Sequence, residues 1–276
     1  MVSDGLKRNL QPITHHSDFI VSFYIMPVRM TTRYPILEPS NGASARPDSC
    51  ALAVMTKAPR AGAVKTRLTP PLTPAEAAQL SACFLRDTTA NVADVASKVN
   101  ARGVVVYTPE GSESAFDGLL PAGFSLLAQR GAGLSDRLIH AAEDLLDAGY
   151  ESLCLIGADS PTLPGEMLAA AVGCLSRAGD RVVLGGTEDG GYYLIGLKRA
   201  HARLFAGIEW STARVLSQTI ERAAEINLEV EMLPSWYDVD DAQSLDRLCM
   251  ELLSSNSQNC PAPNTKDYLA RLVARD

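Results

Sequence analysis

Residues 51–68 read ALAVMTKAPRAGAVKTRL, an apolar run that leads directly into a loop with four cationic side chains. The run is too short for a helix and is bounded by turn residues, which is typical of a buried β-strand. Pro59 stiffens the following loop, and Gly62 loosens it. The stretch therefore predicts a buried strand whose carboxyl end opens into a cationic loop.

The same alternation of short apolar runs and helical patterns continues along the chain. Further strands are predicted at residues 103–108, 124–128, 152–156, 181–184, 192–197 and 229–233. Helices are predicted at residues 74–99, 135–148, 164–178, 211–224, 241–253 and 266–275. Thr73, Pro74 and Glu76 form a capping-box pattern at the first helix. This alternation predicts an α/β fold with a central, mostly parallel sheet flanked by helices, and with ligands bound beyond the carboxyl ends of its strands.

The chain divides into three parts by its pattern. Residues 1–49 show no sustained period, and we expect a poorly ordered N-terminal extension there. Residues 50–254 carry the strand and helix alternation and form the predicted α/β domain. Residues 255–276 are expected to form a C-terminal linker and a short helix.

Composition limits the classes of partner. The 276 residues carry a formal net charge of -7, which gives no general attraction to nucleic acid. The six cysteines form no C-x-x-C pair, and no apolar run is long enough for a membrane span. We therefore expect a cytoplasmic protein without a nucleic-acid partner. A phosphorylated ligand would need locally placed cations, backbone N–H groups or a metal ion.

The loop after the first strand is a candidate phosphate site. Its cations and N–H groups could face phosphate oxygens, and Lys65 and Arg67 would point the same way if the segment were extended. The spacing is not that of a P-loop. A solvated basic loop remains the alternative interpretation.

Three aspartates follow predicted strands. Asp159 follows the 152–156 strand, where it could bind a hard cation or simply cap a turn before the next helix. Asp238 and Asp240 alternate with Val239, so both carboxylates face one side of an extended segment. Together with Asp159 they could hold Mg²⁺ or Mn²⁺, although a role at the start of a helix is also possible.

Two glycine-rich segments follow other strands. Residues 185–196 read GGTEDGGYYLIG, which suits either close approach to a ligand or a plain hairpin. Residues 129–137 read QRGAGLSDR, where Arg130 and Arg137 could serve an anionic ligand. Trp210 precedes an apparent helix start and either packs or lines a cleft.

Six of these segments occur in an order that resembles a known family: KAPRAGAVKTRL, QRG, GADSPTLP, EDGGYYLIGL, WST and DVDD. Over about residues 50–253 the chain resembles the bacterial glycosyltransferase-A-like family of radical-SAM/selenodomain-associated transferases. That family belongs to the nucleotide-diphospho-sugar transferase superfamily. The superfamily also holds phospholactate and molybdenum-cofactor guanylyltransferases, whose basic loop resembles residues 57–68.

The resemblance implies a glycosyltransferase-A-like fold and a role for each motif. The implied nucleotide and phosphate ligands are Lys57, Pro59, Gly62, Lys65, Thr66, Arg67, Gln129, Arg130 and Gly131. The implied sugar or acceptor residues are Gly190, Gly191, Tyr192 and Trp210. The implied metal ligands are Asp159, Asp238 and Asp240, and the implied catalytic residues are Asp189, Lys65 and Arg67.

The function expected from these segments is metal-dependent transfer from a nucleotide-activated donor. The family resemblance favours glycosyl transfer from a nucleotide-diphospho-sugar to a small acceptor, with Mg²⁺ or Mn²⁺ as cofactor. The first alternative is guanylyl or cytidylyl transfer from a nucleoside triphosphate to a small phosphate or phosphonate, with release of pyrophosphate. The second is a non-catalytic nucleotide-binding module, against which the concentration of acids after strands argues.

Overall fold

Seven strands form one sheet in the computed structural model, which describes residues 34–39, 49–254 and 260–274. Their bounds are β1 Cys50–Lys57, β2 Ala101–Thr108, β3 Ser125–Ala128, β4 Ser152–Gly157, β5 Arg181–Thr187, β6 Tyr192–Leu197 and β7 Glu229–Trp236. The spatial order is β3-β2-β1-β4-β6-β5-β7, and β6 runs antiparallel to both of its neighbours while the other pairs are parallel. The predicted α/β fold with a mostly parallel sheet is confirmed.

The helices cover both faces of this sheet. Their bounds are α1 Pro74–Lys98, α2 Leu134–Asp147, α3 Gly165–Ser176, α4 Val215–Glu225, α5 Ala242–Ser254 and α6 Pro263–Val273. Successive β1 residues alternate between two apolar cores: Leu52 packs with α1 and α3, and Ala53 packs with α2 and α4. None of the helices in the described ranges is both long and apolar enough to cross a membrane.

A third apolar cluster lies beside the sheet and joins α5 and α6 to the N-terminal part of α1. Leu68 and Val239, both fully buried, belong to it. Leu68 ends a 3₁₀ turn over residues 66–68 in the cationic loop, and Val239 stands between two of the predicted metal ligands. This cluster therefore anchors two segments of the candidate site to one apolar core.

Several element boundaries differ from the sequence prediction. The helix expected from residue 211 begins at Val215, because Ser211 has a left-handed φ of 62° and cannot continue a helix. The last helix begins at Pro263 rather than residue 266, and β7 extends to Trp236. The capping box at α1 is confirmed, with Thr73 N donating to Glu76 Oε2 at 2.9 Å.

A short part of the predicted N-terminal extension packs against the domain. Leu126 N donates to Pro35 O and Leu37 N donates to Leu126 O, both at 2.8 Å, so residues 35–37 run beside β3. The buried Tyr34 donates its hydroxyl hydrogen to Leu120 O at 2.7 Å. The rest of the extension, residues 1–33 and 40–48, and part of the predicted linker, residues 255–259, lie outside the described residues.

Candidate active site

A cavity of about 380 Å³ opens where the carboxyl ends of β1, β2, β3 and β4 meet. Four cationic side chains line it, and we call it the cationic cavity: Lys57, Lys65, Arg67 and Arg137. Thr66, Gln129, Asp159 and Asp240 complete its predicted lining. Parallel strands end on the same edge of the sheet, so loops that are distant in sequence converge there.

A second cavity of about 300 Å³ adjoins the first and has a mainly apolar wall. Tyr192 and Trp210 meet edge to face in that wall with their ring centroids 6.2 Å apart, and we call it the aromatic cavity. Trp210 is fixed by a 2.8 Å hydrogen bond from its Nε1 to Ser135 Oγ. Asp159, Asp189 and Asp238 supply its carboxylates. Asp159 lines both cavities and marks their junction.

The Lys65 ammonium is held by two carboxylates and one backbone carbonyl. Its Nζ lies 2.5 Å from Asp159 Oδ1 and 3.0 Å from Asp240 Oδ1, and it donates to Val239 O at 2.7 Å. Burial lowers the pKa of this ammonium, but the two carboxylates outweigh that effect and hold the pKa above its ordinary value. Lys65 is therefore a buried, charged partner of two of the predicted metal ligands.

The backbone at Lys65 is not extended. Lys65 has φ 48° and ψ 39°, in the left-handed region, and the next three residues form the 3₁₀ turn that Leu68 ends. The condition under which Lys65 and Arg67 would point the same way, an extended segment, is therefore not met, and the turn allows Leu68 to reach the apolar cluster of α5 and α6. Arg67 nevertheless lines the cationic cavity beside Lys65.

The carboxylates of the site are crowded together. Burial, followed by the charges of Asp189, Asp240 and Asp159, raises the pKa of Asp238 to about 6. The Lys65 ammonium is outnumbered by these acids, so the cluster carries an excess of negative charge when all of them are ionised. Such a cluster attracts an additional cation.

The carboxylates of the two cavities do not form a metal-binding ligand set as they are placed in this structure. In the part of the chain that the structure describes, no three His, Cys, Asp or Glu side chains are grouped closely enough to hold a metal ion. Carboxylate oxygens are suitable ligands for Mg²⁺ or Mn²⁺. However, the Lys65 ammonium lies between the carboxylates of Asp159 and Asp240.

The turn between β5 and β6 fixes Asp189. Its Oδ1 accepts hydrogen bonds from Gly191 N at 3.0 Å and Thr187 Oγ1 at 2.5 Å. Gly190 has φ 91°, and a Cβ there would lie 2.2 Å from Ala213 O, so the position accepts no side chain. The segment is thus a true hairpin, and it also orients a carboxylate at the aromatic cavity.

Among solved structures, the chain is similar to the "putative nucleotide-diphospho-sugar transferase" from Desulfovibrio desulfuricans G20, to which it is 30% identical. That match covers 82% of this chain and 96% of the other, with a TM-score of 0.72. The chain belongs to the nucleotide-diphospho-sugar transferase family. The suspected family membership is therefore confirmed, and the protein is a transferase of that family.

Other comparisons place this transferase more broadly. Residues 91–212 match the family model "Uncharacterized protein conserved in bacteria (DUF2064)". The 4-diphosphocytidyl-2C-methyl-D-erythritol synthase of Anaerococcus prevotii DSM 20548 is 7% identical, with 75% of this chain and 99% of that one covered, and its TM-score of 0.51 shows a shared fold. A comparison with curated protein sequences finds no significant match.

Five of the predicted site residues line neither cavity of this transferase: Pro59, Gly62, Arg130, Gly131 and Gly190. Arg130 instead makes a two-pronged ion pair with the buried carboxylate of Asp144, at 2.9 and 2.6 Å. Gln129 lines the cationic cavity, and its amide joins two strands by donating to Thr56 O and Val106 O. Gly191 lines the aromatic cavity together with Asp189.

The sequence interpretation missed several polar residues of the transferase site. Thr56 and Thr108 line the cationic cavity near the carboxyl ends of β1 and β2, where position in the strand could have identified them. Thr187, at the end of β5, holds Asp189. Ser81 also lines the cationic cavity, but it lies inside α1 and no local sequence signal marks it.

Proposed function

We propose that this transferase moves a glycosyl group from a nucleotide-diphospho-sugar to the hydroxyl group of a small acceptor, with the help of Mg²⁺ or Mn²⁺. The observation that carries the proposal is the junction of two unlike cavities at Asp159. One cavity holds four cationic side chains beside Asp159 and Asp240, and the other holds the rings of Tyr192 and Trp210 beside its carboxylates. A donor diphosphate and an acceptor need such different surroundings on either side of the reacting carbon.

The donor would occupy the cationic cavity. Lys57, Arg67 and Arg137 line it and would face the diphosphate oxygens, and the two guanidinium groups could bind them in pairs. These charges would stabilise the negative charge that develops on the leaving diphosphate. These local cations would thus attract the diphosphate although the chain as a whole carries a negative charge.

The metal ion would be held by Asp159, Asp238 and Asp240. Their oxygens are of the right chemical type, and the excess of carboxylates over ammonium groups in the cluster favours an added divalent cation. When bound, the ion would neutralise the donor diphosphate as a Lewis acid. Asp159 is the central ligand in this proposal because it lines both cavities.

The acceptor would occupy the aromatic cavity. Tyr192 and Trp210 would pack against its apolar surface and exclude water from the reacting hydroxyl. Asp189, oriented by Gly191 N and Thr187 Oγ1, would orient that hydroxyl or accept its proton as a general base. The cationic cavity alone would serve nucleotidyl transfer equally well; the acceptor surface beside it favours glycosyl transfer.

The proposal is tested by following the products. A thermal-shift screen of nucleoside diphosphates and nucleotide sugars, with and without Mn²⁺, first identifies the base. Release of nucleoside diphosphate from a nucleotide sugar supports glycosyl transfer. Release of pyrophosphate from a nucleoside triphosphate would instead identify nucleotidyl transfer, and binding without turnover would identify a binding module.

The matched variants for this test are Asp159→Asn and Asp94→Asn. Asp94 is exposed on α1, where it pairs with Lys98 away from the cavities. We expect Asp159→Asn to abolish most metal-dependent turnover and Asp94→Asn to retain it. Equal turnover in the two variants would remove Asp159 from the mechanism.

A further inference from the structure

The Lys65 ammonium occupies the place between carboxylates where the proposed function requires a metal ion. We propose that Lys65 is an exchangeable counter-ion, which blocks Asp159 and Asp240 from metal ions until a donor diphosphate draws the ammonium away. The divalent cation and the donor therefore bind together rather than independently. This inference rests on the proposed function, since it assigns the order in which that site is filled.

The hydrogen bonds of Lys65 are the first support. A lysine ammonium has three N–H donors. Three acceptors surround this one: Asp159 Oδ1 at 2.5 Å, Asp240 Oδ1 at 3.0 Å and Val239 O at 2.7 Å. No donor is left over for a phosphate oxygen. Lys65 can bind the donor only after it releases at least one of these partners.

The exposure of the three side chains is the second support. The Lys65 side chain is 6% exposed, whereas those of Asp159 and Asp240 are 46% and 47% exposed. The carboxylates thus line the cavity on the side from which a ligand enters, and the ammonium lies behind them. A divalent ion that enters from the cavity meets oxygens whose charge is already partly neutralised by Lys65.

Charge balance is the third support. A donor diphosphate brings about two negative charges, and a divalent ion brings two positive charges, so the pair enters without changing the net charge of the site. Although the cluster as a whole is acidic, a metal ion alone would have to compete with the Lys65 ammonium for Asp159 and Asp240, and a diphosphate alone would approach these acids without a compensating cation. The long flexible stem of lysine lets its charge move to a phosphate oxygen without a change in the fold.

The test measures Mn²⁺ binding directly, by electron paramagnetic resonance of the free ion, without nucleotide. We expect Lys65→Met to bind Mn²⁺ at least about tenfold more tightly than the wild type. The matched control is Lys57→Met, which removes another cation of the same cavity. Among the described residues Lys57 forms no ion pair with Asp159 or Asp240, so its loss should change Mn²⁺ affinity less than about threefold. Equal Mn²⁺ affinity in Lys65→Met and the wild type would overturn the inference.

A double variant shows where the gained ion binds. Adding Asp159→Asn to Lys65→Met should remove the gain in Mn²⁺ affinity, because the exposed ligand is lost. A gain that persists in the double variant would place the ion elsewhere and contradict the inference. Thermal unfolding checks that each variant is folded, and Lys65→Gln replaces Lys65→Met if the methionine is not tolerated.

The coupling to the donor is measured with UDP, GDP, CDP and ADP as separate probes. The nucleotide that binds should tighten Mn²⁺ binding about tenfold or more in the wild type and by less than about threefold in Lys65→Met. If a nucleotide binds and the two proteins respond alike, the exchange is refuted and the proposed function stands. If no nucleotide binds while Lys65→Met still gains Mn²⁺, the proposed function and the donor coupling both fail.

Discussion

Two aspartates in this molecule have opposite surroundings. Asp87, buried at the junction of α1 and α6, accepts four hydrogen bonds of 2.6 to 3.1 Å from the backbone and side chains of Asn264 and Thr265. Asp238, at the aromatic cavity, instead has carboxylates as electrostatic neighbours. The first acid is satisfied by the fold itself, at a helix N-terminus where negative charge is favoured. In the proposed function, the second acid receives its counter-charge from a bound cation.

Among substitutions that test this difference between the site acids and the structural acid, the largest expected effect is a loss of catalysis. Asp159→Asn should lower kcat/KM by about 10²- to 10³-fold, because electrostatic stabilisation of the leaving group is lost. Its melting temperature should fall only modestly, since Asp159 is half exposed and Asp240 and Val239 O still hold the buried Lys65 ammonium. Steady-state kinetics and thermal unfolding of the same preparation measure both quantities. A loss below about threefold would contradict the assignment.

The next largest effect is a loss of stability when the buried Asp87 is replaced. Asp87→Ala should lower the free energy of unfolding by about 3 kcal/mol, because it leaves the N–H groups at the start of α6 without acceptors. Urea denaturation measures the change. Asp94→Ala on the same helix is the control, with an expected loss within about 0.5 kcal/mol for its exposed ion pair. Equal losses would show that the buried hydrogen bonds contribute nothing.

A smaller effect concerns the pH dependence of stability without metal. The pKa of Asp238 is raised to about 6 in the folded protein from 3.8, so its ionisation opposes folding. This cost is complete above about pH 6 and disappears below the unfolded pKa. Asp238→Asn should therefore stabilise the metal-free protein by about 1 kcal/mol at pH 8, after allowance for solvent screening, and by almost nothing at pH 4.

Melting temperatures in EDTA across this pH range measure that difference. We expect a gain of about 3 °C at pH 8 that shrinks steadily as the pH falls through 6. Metal addition should reverse the order, because the wild type then gains a ligand that the variant lacks. A pH-independent gain would show that the ionisation of Asp238 is not its cause.

The smallest effect is expected three residues further along the chain. Hydrogen bonds from Ser244 lower the pKa of Asp241, so its charge supports folding and that support is lost as the pH falls through the lowered pKa. Asp241→Asn keeps a good helix cap and should cost only about 0.5 kcal/mol at pH 7. Chemical denaturation measures it. If Asp241→Asn stabilised the protein, as is expected for Asp238→Asn, the predicted difference between the two aspartates would be contradicted.

The sequence predicted the elements of the fold because hydrophobic periodicity is a local signal. It did not predict that Asp87 would hold α6, since an acid in the middle of α1 reads as a solvated residue. The sequence prediction also placed the start of α4 too early, because no local sequence signal indicates that Ser211 adopts a left-handed backbone conformation. Such details are decided by tertiary contacts between distant segments.

For the candidate site, the sequence predicted which residues lie together but not how they pair. Chemistry at strand ends identified Lys65, Asp159 and Asp240, and the fold brings them together. Their pairing was not predictable, because the 3₁₀ turn after Lys65 depends on where Leu68 packs in the cluster of α5 and α6. A lysine expected to bind phosphate thus lies between two predicted metal ligands.

A crystal structure with Mn²⁺ and the nucleoside diphosphate that gives the largest thermal shift tests the central claim most directly. The account predicts an anomalous manganese peak between the diphosphate and the Asp159 carboxylate, with Lys65 Nζ moved from Asp240 to a phosphate oxygen. A nucleotide bound away from the cationic cavity, or a diphosphate bound there while Lys65 keeps all three of its partners and no manganese is present, would contradict it.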